Sequence, residues 1–252
     1  MESGHNEIMN TLLRICTLVF TISAATQVSA DEISDLKASL AKSLPQYEAS
    51  NIEKTPIEGI YQVVIGGQVI YMTKDARYMI DGNLIDLSTR KNYTEDAMSE
   101  IRLSQIDALG EDKMVVYTPE TIKNTITVVT DINCPYCRRL HSEMDQYMAG
   151  GVQVRYIFMP LKGQDDFRTT VSVWCAKDRN HALDMAKAGE AVEAKDCENP
   201  IDEHLNVSRN LGVRGTPAII LQNGNMLPGY VPASKLIAEL AKLNLSTAKS
   251  GS

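Results

Sequence analysis

The tetrapeptide Cys134-Pro135-Tyr136-Cys137, set where a β-type run gives way to a helical one, constrains this chain more than any other feature. Asn124 to Thr130 is rich in β-branched residues, which predicts a buried strand. After Asp131-Ile132-Asn133 and the C-x-x-C, Leu140, Met144 and Met148 recur every four residues and predict a helix. Cys134 then falls at a first helical turn, where backbone N–H groups lack intrahelical partners and the helix dipole favours an anion. Pro135 suits the first helical position, because its missing N–H would have had no partner there. A thiolate so placed has a lowered pKa and is a good nucleophile and leaving group near neutral pH. The arrangement points to thiol–disulfide exchange.

Other uses of a C-x-x-C fit less well. A zinc site needs a second ligand pair, and Cys175 and Cys197 are too widely spaced, with no His pair near them. Attachment of c-type haem needs His after the second Cys, where Arg138 stands. A purely structural staple is disfavoured, since a two-residue loop at a helix start is reactive. No metal or organic cofactor is expected. The net charge of −7, without a basic stripe, gives no support to nucleic-acid binding. The 11 Met beside 3 Phe read as core filling before they read as an adaptable binding surface.

The N-terminus reads as a cleavable signal peptide over residues 1–30. Ile15 to Ala25 is a short apolar run, and Val28-Ser29-Ala30 is a small-residue cleavage site, giving a mature start at Asp31. Met1 to Ile8 carries Glu2 and Glu7 and no basic residue, whereas a start at Met9 leaves Arg14 as the positive charge. Leu13-Arg14-Ile15-Cys16 is a poor lipoprotein box, so no lipid anchor is expected. Cys16 leaves with the signal and four Cys remain. An exported chain with four Cys implies two pairs: Cys134 with Cys137, and a structural disulfide between Cys175 and Cys197.

Along the mature chain, Asp31 to Leu44 predicts an amphipathic helix through Leu36, Leu40 and Leu44. Short β-type runs follow at 60–65, 68–72, 77–80 and 83–87, separated by Gly66-Gly67, 73–76 and Asp81-Gly82. This meander, assigned to residues 31–92, is too small to bury much apolar surface alone and is expected to pair with a second copy. A helix over 93–110 reads as a linker ending at Gly110. Residues 111–246 then run strand (114–117), strand (124–130), C-x-x-C helix, strand (152–159) and a helical stretch from Asp165 to about Leu211. Strand 218–221, an Asn223-Gly224 turn, strand 226–230 and a helix from Ser234 close the order. The class is α+β/α/β: a small β-rich dimerisation domain, a linker helix and a thioredoxin fold with a helical insertion.

Gly215-Thr216-Pro217-Ala218 precedes an apolar strand. Alone it reads as an ordinary turn proline. With a C-x-x-C upstream in this order of elements, it reads as a cis-Pro loop that aims the Thr216 backbone at the site, ready to pair with an extended substrate. His141, His181 and His204 read as ordinary helix or loop residues, and Trp174 as core packing. Arg138 and Arg139 read as solvated charges, with Arg138 near enough to help a Cys134 thiolate.

Several blocks together resemble the DsbC/DsbG family of periplasmic disulfide isomerases. They are Thr130-Asp-Ile-Asn-Cys-Pro-Tyr-Cys137 with Leu140-His141, Trp174-Cys-Ala-Lys-Asp178, and Leu211-Gly-Val-Arg-Gly-Thr-Pro-Ala218 with Pro228-Gly-Tyr230. The resemblance implies a V-shaped homodimer whose uncharged cleft holds misfolded, disulfide-containing secreted proteins. It implies Cys134 as nucleophile, Cys137 as resolving cysteine, Thr216-Pro217 as the cis-Pro loop and Cys175/Cys197 as the second disulfide. It further implies a membrane reductase of the DsbD type as partner. Pro135 departs from the Gly typical of DsbC and matches DsbG and glutaredoxins, which bears on potential and substrate preference. The buried acid of thioredoxins, six residues before the nucleophile, is replaced by Val128, leaving proton transfer from Cys137 to water or another group.

The expected function is therefore periplasmic disulfide isomerisation through a mixed disulfide. A DsbG-like reductase or net dithiol oxidase is the alternative within redox chemistry, and a holdase chaperone the alternative of another class. A mostly oxidised Cys134/Cys137 pair in cells favours the oxidase and a mostly reduced one the isomerase or reductase, and aggregation suppression by a variant lacking both thiols tests the chaperone.

Overall fold

The computed structural model describes residues 24–250, so most of the signal segment, with Met9, Arg14 and Cys16, lies outside the described residues. The chain forms two compact units that part between Gly82 and Asn83.

The first unit is one helix on one sheet. Helix α1 (Ala24–Ser43) is followed by β1 (Ala49–Lys54), β2 (Ile60–Ile65), β3 (Gln68–Thr73) and β4 (Met79–Ile80), an antiparallel meander in that spatial order. Leu36 and Leu40, four residues apart and so on one helix face, pack on Tyr61, Val63 and Met72 of the sheet. Glu32 ties the same face to the sheet, bonding Lys54 at 2.7 Å and accepting from Tyr61 Oη at 2.9 Å.

The second unit holds α2 (Tyr93–Leu109), a 3-10 turn (Glu111–Lys113), β5 (Val115–Tyr117), β6 (Asn124–Thr130), α3 (Pro135–His141), α4 (Met144–Ala149) and β7 (Val152–Phe158). Helices α5 (Gln164–Trp174), α6 (Arg179–Ala188) and α7 (Ile201–Asn210) follow, then β8 (Ala218–Leu221), β9 (Met226–Pro228) and α8 (Ala233–Ser250). The sheet order is β5-β7-β6-β8-β9, with β6 parallel to β7 and the other pairs antiparallel. This is a thioredoxin fold with a helical insertion between β7 and β8.

The central strands are buried on both faces, as their β-branched runs require. Ile126, Val128, Val154, Tyr156 and Ile219 face one core with Leu140, Tyr147, Leu183 and Leu236. Val129, Ile157 and Ile220 face the other, under Ile106 and Leu109 of α2 and Val207 and Leu211 of α7. Helix α2 is further fixed by the buried Arg102, which donates to Leu211 O, Gly224 O and Glu95 Oε1 at 3.2, 3.1 and 2.7 Å. At Gly224, φ is +84°, and a Cβ would stand 2.2 Å from Ser99 O, so the β8–β9 turn meets α2 where only glycine fits.

Several sequence expectations differ from the structure: β1 (Ala49–Lys54) has no counterpart among the expected strands, and the run at 77–80 is strand only at Met79–Ile80. Residues 83–87 form no strand beyond a bridge from Ile85 to Asn92, because Asp86 turns back to accept from Ser88 N and Thr89 N. The helix after the C-x-x-C is interrupted at Ser142–Glu143, where the Glu143 carboxylate accepts from Ala233 N at the head of α8 and from Tyr230 Oη. The long helical stretch divides into three, with Asp178 accepting from His181 N at the start of α6 and left-handed Gly189 ending it.

Candidate active site

Strand β6 ends in Thr130-Asp131, and the chain turns through Ile132-Asn133 into α3. Asp131 holds the turn: Oδ1 accepts from Asn133 N at 2.7 Å and Oδ2 from Leu161 N at 3.1 Å, while its carbonyl accepts from Cys134 N at 3.3 Å. Asn133 donates to Asp166 Oδ1 at 2.7 Å and accepts from Arg138 Nη2 at 2.8 Å, and Arg138 Nε donates to Ile132 O at 3.0 Å. Arg138 is therefore bound to the loop, contrary to its reading as a solvated charge. Burial, with the Asp166 carboxylate alongside, pushes the Asp131 carboxyl above its usual range despite the N–H groups it accepts from.

Cys134 caps α3 in extended conformation with Pro135 following it, and Cys137 lies one turn on. Both are free thiols, Cys134 partly exposed and Cys137 1% exposed. Tyr136 is 61% exposed at the mouth of the site. Thr216 and Pro217, joined by a cis peptide bond, stand opposite, and Cys134 Sγ lies 3.3 Å from Thr216 O.

Burial alone would raise the Cys134 thiol, but the Cys137 N–H, the Thr216 side chain, the Cys137 thiol and the Tyr136 N–H outweigh it and hold its pKa below the ordinary value. Burial wins at Cys137, whose pKa is raised despite Lys187, the Asp131 N–H and Thr130. The pair is thus split into an accessible sulfur that ionises easily and a buried one that does not.

Cys175 and Cys197 are joined in a disulfide with their Cα atoms 5.8 Å apart, away from the thiols. It fastens the end of α5 to the segment before α7. Trp174 lies in the core beside His204. Two histidines read as ordinary are buried and bonded: His141 to Tyr156 Oη (3.1 Å) and Asp184 (3.0 Å), and His204 to Phe158 N (3.2 Å) and Lys113 O (2.7 Å). Lys187, which carries no local sequence signal, is also buried behind the loop.

A free dithiol split in this way, at a strand–helix junction of a thioredoxin fold, defines a thiol–disulfide oxidoreductase. Residues 111–244 match the thioredoxin-like domain, and residues 23–95 match the disulfide bond isomerase protein N-terminal domain. The thiol:disulfide interchange protein DsbC of Salmonella typhimurium is 38% identical over 84% of this chain and 90% of its own length. That of Escherichia coli K12 is 36% identical over 87% of this chain and 92% of its own. A disulfide interchange protein structure from Neisseria gonorrhoeae is 29% identical, covering 53% of this chain and 96% of that one at a TM-score of 0.48. The chain belongs to the DsbC family of thiol:disulfide interchange proteins, and is a disulfide isomerase of the oxidoreductase class.

Proposed function

We propose that this isomerase works in the periplasm as a homodimer, with Cys134 as nucleophile and Cys137 as resolving cysteine. The Cys134 thiolate attacks one sulfur of a wrong disulfide in a secreted protein. The substrate S–S bond breaks, a mixed disulfide forms on Cys134, and the other substrate sulfur leaves as a thiolate. A different substrate thiolate then displaces Cys134, giving a rearranged disulfide with no net change of electrons. Alternatively Cys137 displaces it, leaving reduced substrate and a Cys134–Cys137 disulfide. Two electrons have then passed to the substrate, and a membrane reductase of the DsbD type returns them.

The observation that carries the reading is the split pair: a partly exposed sulfur with lowered pKa beside a buried one with raised pKa. The Thr216 backbone beside Cys134 supports docking of an extended substrate strand there. Pro135 and Tyr136 shape the motif, with the exposed Tyr136 ring at its edge. Cys175–Cys197 serves stability, and a disulfide that persists supports an oxidising compartment, as does the signal-like N-terminus.

Residues 31–92 would supply the dimer interface, 93–110 the connection and 111–246 the catalysis. Support comes from the sheet of the first unit. Among the described residues β4 is a two-residue edge strand paired on one side only, and its Met79 and Ile80, with Tyr78 just before them, are exposed. An apolar, unpaired edge fits self-association across a two-fold axis.

The test is trapping. Cys137→Ser should accumulate mixed disulfides with misfolded, disulfide-containing clients, visible on non-reducing gels and released by dithiothreitol. Cys134→Ser should accumulate none, and accumulation through Cys137 instead would reverse the roles.

A further inference from the structure

Lys187 stands near the end of α6 and is 4% exposed. Lysine is almost never fully buried unless paired. Its Nζ donates to Thr130 Oγ1 at 2.7 Å and to the Asp131 carbonyl at 2.9 Å, two neutral acceptors at the end of β6. The Thr130 side chain is also among the groups that favour the Cys137 thiolate. Thr130 thus bonds the buried amine and acts on the buried thiol. Each group alone pays to carry a charge at this depth, whereas moving one proton from the thiol to the amine creates no net charge.

We propose that Lys187 takes the proton Cys137 must lose when it attacks the Cys134 mixed disulfide, the Thr130 hydroxyl passing it between them. The inference rests on Cys137 being the resolving cysteine. Cys137 S–H gives its proton to Thr130 Oγ1 as the Thr130 O–H proton passes to the lone pair of neutral Lys187. A Cys137 thiolate, an intact threonine hydroxyl and a Lys187 ammonium remain. The thiolate bonds to Cys134 Sγ, and the substrate sulfur leaves with the electron pair of the broken bond. When the Cys134–Cys137 disulfide is reduced again, Cys137 recovers its proton by the reverse path. Lys187 meets the reacting sulfur only through Thr130 and is a positioning residue.

The charges around Lys187 fit this exchange. Burial lowers its pKa to about 8, against Cys137, Asp131 and Cys134, which hold the proton on, and with Arg138, which drives it off. Of the other groups facing it, His141 of α3 has its pKa lowered by burial and is bonded to Asp184 of α6 and Tyr156 of β7. The Tyr117 and Tyr156 hydroxyls are raised by burial and stay uncharged in the range of interest. Lys187 also lines a surface cleft with Tyr117, Arg138, His141, Asp145 and Asp184, which gives the proton a way out to solvent.

The test isolates the resolving step in the full chain. Cys134 is loaded with glutathione, and glutathione release as Cys137 closes the disulfide is timed from about pH 5.5 to about pH 9. Lys187→Met should slow release at neutral pH by about tenfold or more and move the midpoint of the pH profile up by about one unit. Lys187→Arg keeps the charge but cannot take a proton, and should be equally slow. Wild-type rates in Lys187→Arg would make Lys187 a fixed charge and overturn the proposal, as would an unchanged rate and profile in Lys187→Met. If neither variant folds, Thr130→Val removes the middle of the path and carries the same expectation and the same refutation. Release as fast in Cys137→Ser as in wild type would instead overturn the resolving role itself, and the proposal with it.

Discussion

Cys134 Sγ and the Thr216 carbonyl oxygen stand 3.3 Å apart, joining residues 82 positions distant in the sequence. The Thr216 side chain is also among the groups that lower the Cys134 pKa, after the Cys137 N–H. Thr216→Val keeps the shape and removes the hydroxyl. The Cys134 thiolate should then titrate at higher pH, and iodoacetamide should alkylate it a few-fold more slowly below neutral pH, since one pKa unit is worth about tenfold in thiolate. Thiolate absorbance against pH checks this, and an unmoved or lowered midpoint contradicts it.

The C-x-x-C, its strand and its helix were legible because they are local. β-branched run, turn residues, Pro135 and apolar spacing all lie within about 25 consecutive residues and agree with one another. Cys175–Cys197 was legible by counting cysteines. Lys187 was not, because nothing near it in sequence marks it as buried; α6 covers it by packing on α3. Arg138 was misread for the same reason, its partners being loop groups whose positions Asp131 sets. The breaks in the 165–211 stretch had signals in Asp178 and Gly189 that a hydrophobic repeat does not register. At 83–87, alternating apolar residues matched a strand, but Asp86 offered the backbone a tighter local bond.

His204 predicts a loss of stability in acid. Its Nδ1 accepts from Phe158 N, and its Nε2 faces the Lys113 carbonyl, so the buried ring is neutral with its proton on Nε2. Burial lowers its pKa from 6.5 to about 4. Between those values the unfolded chain binds a proton that the folded protein does not, so stability falls as pH drops through that window, by about 3 kcal/mol in full. Urea unfolding at neutral pH and near the lower limit measures the fall. It should shrink in His204→Gln, which does not titrate, and an equal fall in both proteins rejects the assignment.

Breaking the second disulfide should cost stability without silencing the thiols. Cys175 and Cys197 close a loop spanning 22 positions, and chain entropy alone assigns such a closure about 3 kcal/mol. The double variant Cys175→Ala/Cys197→Ala should unfold at correspondingly lower urea while Cys134 still reacts with a disulfide probe. A stability equal to wild type would show that the bond constrains little.

The most direct measurement is the rate at which scrambled ribonuclease regains activity with reduced wild-type protein or with Cys134→Ser under the same glutathione buffer. Isomerisation through the Cys134 thiolate requires the wild type to restore ribonuclease activity and Cys134→Ser to fall to the buffer rate. Full recovery with Cys134→Ser would contradict it.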